Sequence, residues 1–218
     1  MKQGQPNSAR IYLVVLALLG WFALLTQFYI NINSKAAALV EIIVRYFSYF
    51  TITTNLLVAL CSSILAIKSP STGERFFSRQ SVQTAIAVYI LIVGLIYNII
   101  LRSIWNPQGI QKVVDELLHS VIPIMFLIYW IMYVARYPLK WNAILPWLIY
   151  PLIYTVFILI RGTYGGFYPY PFVDVGKLGL QVVLMNALGI VILFIIISLS
   201  FIAIGKFISK VNAIEKRI

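Results

Sequence analysis

Six predominantly apolar runs follow one another along the chain: about Ile11 to Ile30, Tyr46 to Ile67, Val82 to Ile104, Leu117 to Ala135, Ala143 to Ile160 and Leu180 to Gly205. Charged and polar residues collect in the short joints between them. A bilayer core is about 30 Å thick and a helix rises about 1.5 Å per residue, so about 20 apolar residues cross it. Lipid offers no partner to backbone N–H and C=O groups, and the ten-residue alternation of a barrel strand is absent, so the runs read as helices. The pattern predicts an all-α, polytopic membrane protein: a bundle of six transmembrane helices over residues 1–218, with no room in the joints for a second, soluble domain.

Composition agrees, with 61% hydrophobic and 11% charged residues against about 25% charged in a soluble domain. The formal charge of +11 would raise nucleic acid as a partner if the Lys and Arg residues formed a patch. They stand instead at the ends of the apolar runs, which makes them topological and argues against nucleic-acid binding. One side collects Lys2, Arg10, Lys68, Arg75, Arg79, Arg136, Lys140, Lys206, Lys210, Lys216 and Arg217, and the other Lys35, Arg45, Arg102, Lys112, Arg161 and Lys177. The richer side is expected to be cytoplasmic, with both termini there. The first run is longer than the 7 to 15 residues of a signal-peptide core and reads as a retained anchor. Tyr46, Trp105, Tyr164, Tyr168 and Tyr170 then fall at outer ends and Trp141 at an inner one, as interfacial belt residues. Cys61 stands alone in an apolar run and reads as packing.

With direction assigned, polar residues gather at one depth. Thr51, Thr53, Thr54 and Asn55 lie in the outer half of the second span, Asn98 near the outer end of the third, His119 at the start of the fourth. Tyr154 and Arg161 lie on the fifth and Asn186 near the start of the sixth. Two readings stand. Such a layer can line a wet cavity, here expected between the second, third, fourth and sixth spans, or each group can act as glue between helices. His119 is the only histidine, and Asp115 and Glu116, at i−4 and i−3, share its helix face and could orient the imidazole. Thr51 and Asn55, at i and i+4, point the same way. A hydroxyl needs a base to become a nucleophile, and His119 is the one candidate imidazole. A lone His beside two carboxylates is too small a ligand set to argue for a metal, and no cofactor is expected. The two prolines of Tyr168-Pro169-Tyr170-Pro171-Phe172, after Gly162, Gly165 and Gly166, forbid a helix and predict an ordered outer loop, either a lid over the polar layer or a connector with interfacial aromatics.

The run Tyr49-Phe50-Thr51-Ile52-Thr53-Thr54-Asn55, the stretch Leu118-His119-Ser120-Val121-Ile122-Pro123, and the segment from Arg161-Gly162 through Tyr168-Pro169-Tyr170-Pro171-Phe172-Val173-Asp174 together resemble the bacterial six-span "Pr-six-Pr" membrane proteins. These in turn resemble the eukaryotic androgen-induced family. The resemblance extends over nearly the whole chain and implies a multi-pass protein of the bacterial inner membrane. Animal members of the wider family are intramembrane threonine hydrolases of lipid esters, notably fatty acid esters of hydroxy fatty acids. By resemblance Thr51 corresponds to the nucleophile and His119 to the base, with Thr53 and Thr54 as neighbouring alternatives.

The leading expectation is hydrolysis of a fatty-acyl ester taken from membrane lipid at the outer leaflet. An oxyanion donor would come from backbone amides or Asn55. A small transporter or channel is the alternative, although repeat symmetry, broken spans and mid-membrane charges are not evident. A non-enzymatic membrane scaffold is the third.

Overall fold

The computed structural model describes residues 6–67, 71–135 and 138–215, and all regular structure among them is helical. In chain order the helices are α1 (Asn7–Asn33), α2 (Leu39–Phe47), α3 (Phe50–Ile67), α4 (Thr72–Phe77), α5 (Gln80–Leu101), α6 (Gly109–Val134), α7 (Trp141–Gly165) and α8 (Leu180–Glu215). Helices α1, α3, α5, α6, α7 and the Leu180–Val211 part of α8 are long and apolar enough to cross a membrane. Lys2, Lys68, Arg136, Lys216 and Arg217, which weigh in the expected orientation, lie outside the described residues. The end of the bundle carrying the 34–49, 102–108 and 166–179 connections is called the upper end below.

Helices α3 and α5 form the centre, with 61% of their most apolar stretches buried, against 22% for α7 and α8. Along α1, Leu13, Leu16, Gly20, Ala23 and Leu24 face inward while Ile11, Leu18 and Leu25 face out, the stripe expected of a helix with lipid on one side. A Cβ on Gly20 would stand 3.1 Å from the Ala59 Cβ, so the missing side chain lets α1 and α3 approach closely. Three side-chain pairs in the lower half join neighbouring helices: Tyr129 Oη donates to Gln83 Oε1 at 2.9 Å, Trp130 Nε1 to Thr84 Oγ1 at 2.9 Å, and Trp147 Nε1 to Ser81 Oγ at 3.0 Å.

Prolines within the spans leave carbonyls that other helices complete. Pro151 cannot donate to Trp147 O, four residues back, and Tyr89 Oη donates there instead at 2.6 Å. Pro123 has a larger effect because it follows a π-helical turn at Leu117–Val121. Its missing N–H rules out both the α-type bond to His119 O and the π-type bond to Leu118 O. Asn98 Nδ2 on α5 donates to the first at 3.2 Å, and Asn55 Nδ2 on α3 to the second at 3.1 Å. Gly94, where a Cβ would lie 3.2 Å from His119 O, lets α5 come near enough for this.

The spans differ from expectation at their upper ends. The second begins at Phe50, not Tyr46, because Leu39–Phe47 is a separate amphipathic helix. The joint is held by Tyr154, whose hydroxyl donates to Ser48 O at 2.8 Å and accepts from Phe50 N at 3.2 Å. The fourth starts at Gly109, ahead of Leu117, while at the lower end the sixth continues beyond Gly205. Tyr46 is not a belt residue: it is buried, and its hydroxyl donates to Leu24 O at 2.8 Å.

Candidate functional site

The first turn of α3 turns Thr51 toward the 166–173 segment. Its N–H donates to Tyr170 Oη at 3.3 Å, and its hydroxyl lies 3.4 Å from the same oxygen. Burial pushes the Tyr170 hydroxyl up to about 12 despite the two contacts from Thr51, which pull the other way, so it is a neutral phenol able to donate. Thr53 and Thr54 are turned to α7, where Tyr150 Oη meets their hydroxyls at 2.7 and 3.2 Å. Of the three threonines only Thr51 lines the two cavities described next.

Across the upper end, α5 and α6 build the rest of the site. His119 Nδ1 lies 2.9 Å from Asp115 O and 3.3 Å from Asp115 Oδ1, one helical turn earlier. Asp115 is buried and accepts a hydrogen bond from Tyr97 Oη on Oδ2. The Tyr97 ring stacks on the imidazole with centroids 3.9 Å apart and planes within 15°. The imidazole is thus fixed in plane and in tilt, and Nε2 has no hydrogen-bonding protein partner among the described residues.

Two cavities meet at Thr51. A chamber of about 460 Å³ is lined by the upper end of α1, residues 49–52, the ends of α5 and α6, and Pro169, Tyr170 and Pro171; Thr51, Asp115 and His119 all face it. A narrow slot of about 80 Å³, walled almost wholly by apolar side chains, runs between α5, α7 and α8. Thr51, Tyr97, Leu101 and Tyr170 line both. Thr51 and His119 share the chamber without a hydrogen bond between them, the threonine hydroxyl being at Tyr170.

The other residues expected in the polar layer are divided among separate tasks. Asn55 is fully buried and gives its amide to Thr51 O at 2.8 Å and Leu118 O, which leaves no N–H for an oxyanion. Asn98 is exposed on the outer side of the α5–α6 seam, bonded to His119 O and, through Oδ1, to Arg102 at 2.6 Å. Glu116 pairs with that same Arg102. Tyr154 holds the α2–α3 joint and lines the slot. Arg161 pairs with Glu41 at 2.7 Å and donates to Phe167 O at 2.9 Å. Asn186 donates to Phe172 O at 2.8 Å, and Asp174 accepts from Lys177 N at 3.2 Å as the cap of the short helix Val175–Leu178. The chamber is therefore walled by α1, α3, α5, α6 and the proline segment, and not by α8 as expected. Asn186 on α8 is tied to Phe172 instead.

Three contributors were not picked out in the sequence: Tyr97, Tyr170 as an inward group, and the Gln27–Gln111 pair on the chamber wall. Tyr170 had a usable signal, since a residue between two prolines has a restricted backbone and a directed side chain. Comparison of the chain with protein-family models, with curated proteins and with solved structures returns no match.

Proposed function

We propose that the protein hydrolyses fatty-acyl esters drawn from the membrane, with Thr51 as nucleophile and His119 as general base. The observation that carries this reading is the position of Thr51 at the meeting point of an apolar slot and a polar chamber. An ester has the same division: an acyl chain on one side of the carbonyl and an alcohol on the other. The first methylenes of the chain lie in the slot, with the carbonyl carbon at Thr51 Oγ1 and the alcohol in the chamber. Thr51 Oγ1 attacks the carbonyl as its proton passes to His119 Nε2, directly or through one water. The alcohol leaves with that proton, and water, deprotonated by His119, releases the fatty acid and restores Thr51. Tyr170 Oη, already at the Thr51 hydroxyl, is the donor nearest to the developing oxyanion. Asp115 holds the imidazole, as the buried carboxylate does in Ser-His-Asp hydrolases. The resemblance to the Pr-six-Pr and androgen-induced proteins supports the same assignment, and in this reading the chamber opens to the outer side of a cell membrane.

The test is covalent labelling of the purified protein by a fluorophosphonate probe. Labelling is expected to fall with His119→Ala almost as far as with Thr51→Ala, because general-base assistance is worth about 10² to 10⁴ in rate, and the double variant loses little more. Thr53→Ala and Thr54→Ala, whose hydroxyls face Tyr150, label normally. Labelling that survives both Thr51→Ala and His119→Ala removes the proposal.

A further inference from the structure

The chamber wall away from the two catalytic side chains carries amides. Gln27 on α1 donates through Nε2 to Asn31 Oδ1 at 2.8 Å, and Gln111 on α6 donates to Gln27 Oε1 at 2.7 Å. These bonds fix the carboxamides but leave further N–H groups on Asn31 and Gln111 and the second acceptor positions of the carbonyls open to the chamber. Ser34 adds a hydroxyl at the rim. Among the described residues that line the chamber there is no Lys and no Arg, and its one carboxylate, Asp115, is held by His119 and Tyr97. The ion-paired arginines at this end, Arg45, Arg102 and Arg161, are bound to Glu41, Glu116 and Glu41.

This lining selects by charge. A phosphate or carboxylate accepts hydrogen bonds only and needs a cation to replace its hydration, which for planar oxyanions is commonly arginine. A chamber with fixed donors and acceptors interleaved, and no cation, leaves an anion uncompensated. A hydroxyl both donates and accepts, so a polyol matches carboxamides of this kind. At about 460 Å³ the chamber is within the range of small-molecule sites, and large enough for a glycerol or single-sugar group.

We infer that the chamber binds the uncharged, hydroxyl-bearing half of a lipid, so that the substrates are acyl esters of neutral polyols such as glycerol or a sugar and not phospholipids. This rests on the assignment of the chamber as the alcohol site, yet it can be read by binding alone. The protein is reconstituted in phosphatidylcholine nanodiscs, which avoid sugar detergents that would occupy the chamber. Binding is then measured for a non-hydrolysable monoalkyl glycerol ether and for the alkyl phosphate of equal chain length. The ether is expected to bind tighter by about tenfold or more. Gln27→Leu and Gln111→Leu are expected to weaken the ether several-fold. Gln111→Arg is expected to improve binding of the alkyl phosphate, a gain that misfolding cannot produce. Equal or tighter binding of the phosphate to the unaltered protein, or no response to any of the three substitutions, overturns the inference. Ether selectivity in a protein that the fluorophosphonate probe does not label keeps the polyol site and removes the hydrolase. Labelling without ether selectivity does the reverse.

Discussion

His119 presents a single nitrogen to the chamber, because Asp115 O, 2.9 Å from Nδ1, can only accept and so fixes the proton on Nδ1. Nε2 is then the basic nitrogen, the form a general base requires. Asp115 supports this twice, through its carbonyl and through Oδ1. Asp115→Asn keeps the carbonyl and the size of the side chain but removes the negative charge that stabilises an imidazolium. Probe labelling should slow by about 10²-fold, less than the loss in His119→Ala, while the melting temperature stays near that of the parent. A rate equal to the parent's would show that the carboxylate does not act through His119. At this scale the sequence was legible only in part. The i−4 spacing of Asp115 and His119 is visible because helix geometry puts them on one face. Tyr97 and Tyr170 are not, because each reaches its partner across a tertiary contact that no periodicity encodes.

Among the elements, the 166–173 segment has the most closely determined position. Gly166, at φ +63°, turns the chain out of α7 in the left-handed region, and Tyr168 then lies flat on Gly162, where a Cβ would come within 1.9 Å of the ring. Phe167 is held between two guanidinium groups, with Arg45 4.6 Å and Arg161 4.8 Å from the ring centroid. Gly162→Ala must displace Tyr168 and with it Tyr170. It should cost about 1–3 kcal/mol and expose the segment to limited proteolysis; an unchanged digestion pattern would contradict the packing. Both arginines converge on Glu41, whose carboxyl their hydrogen bonds hold below its ordinary value of 4.5. A depressed folded value means that the contribution is present above the unfolded pKa and is lost as pH falls through the folded one. Thermal unfolding followed from pH 6 to pH 3 should therefore show a decline that is shallower in Glu41→Gln. Because Glu41 is one third exposed, the difference should be modest. Helix α2 itself escaped the sequence reading, since its apolar face ran on into the next span and the break at Ser48 depends on Tyr154, more than a hundred residues later.

For the whole molecule the six spans were legible because runs of about 20 apolar residues have few alternatives in lipid, whereas their ends depend on tertiary capping. Orientation is a separate matter, carried by the Lys and Arg distribution. A reporter fused after Ile218 should be active only in the cytoplasm, and activity on the other side would invert the arrangement. The three-helix contact at Pro123 has a consequence for how such a chain can change over evolutionary time. Pro123 offers no N–H to either Leu118 O or His119 O, and a residue with an N–H there could serve only one of the two; Asn55 on α3 and Asn98 on α5 complete both. Loss of an asparagine leaves a carbonyl without its partner while the proline stands, and an N–H regained at residue 123 relieves the loss of one asparagine but not of both. The order of substitution is therefore constrained: the proline is replaced before one asparagine is released, the second stays needed, and a chain that acquired the proline before the asparagines would have passed through a less stable ancestor.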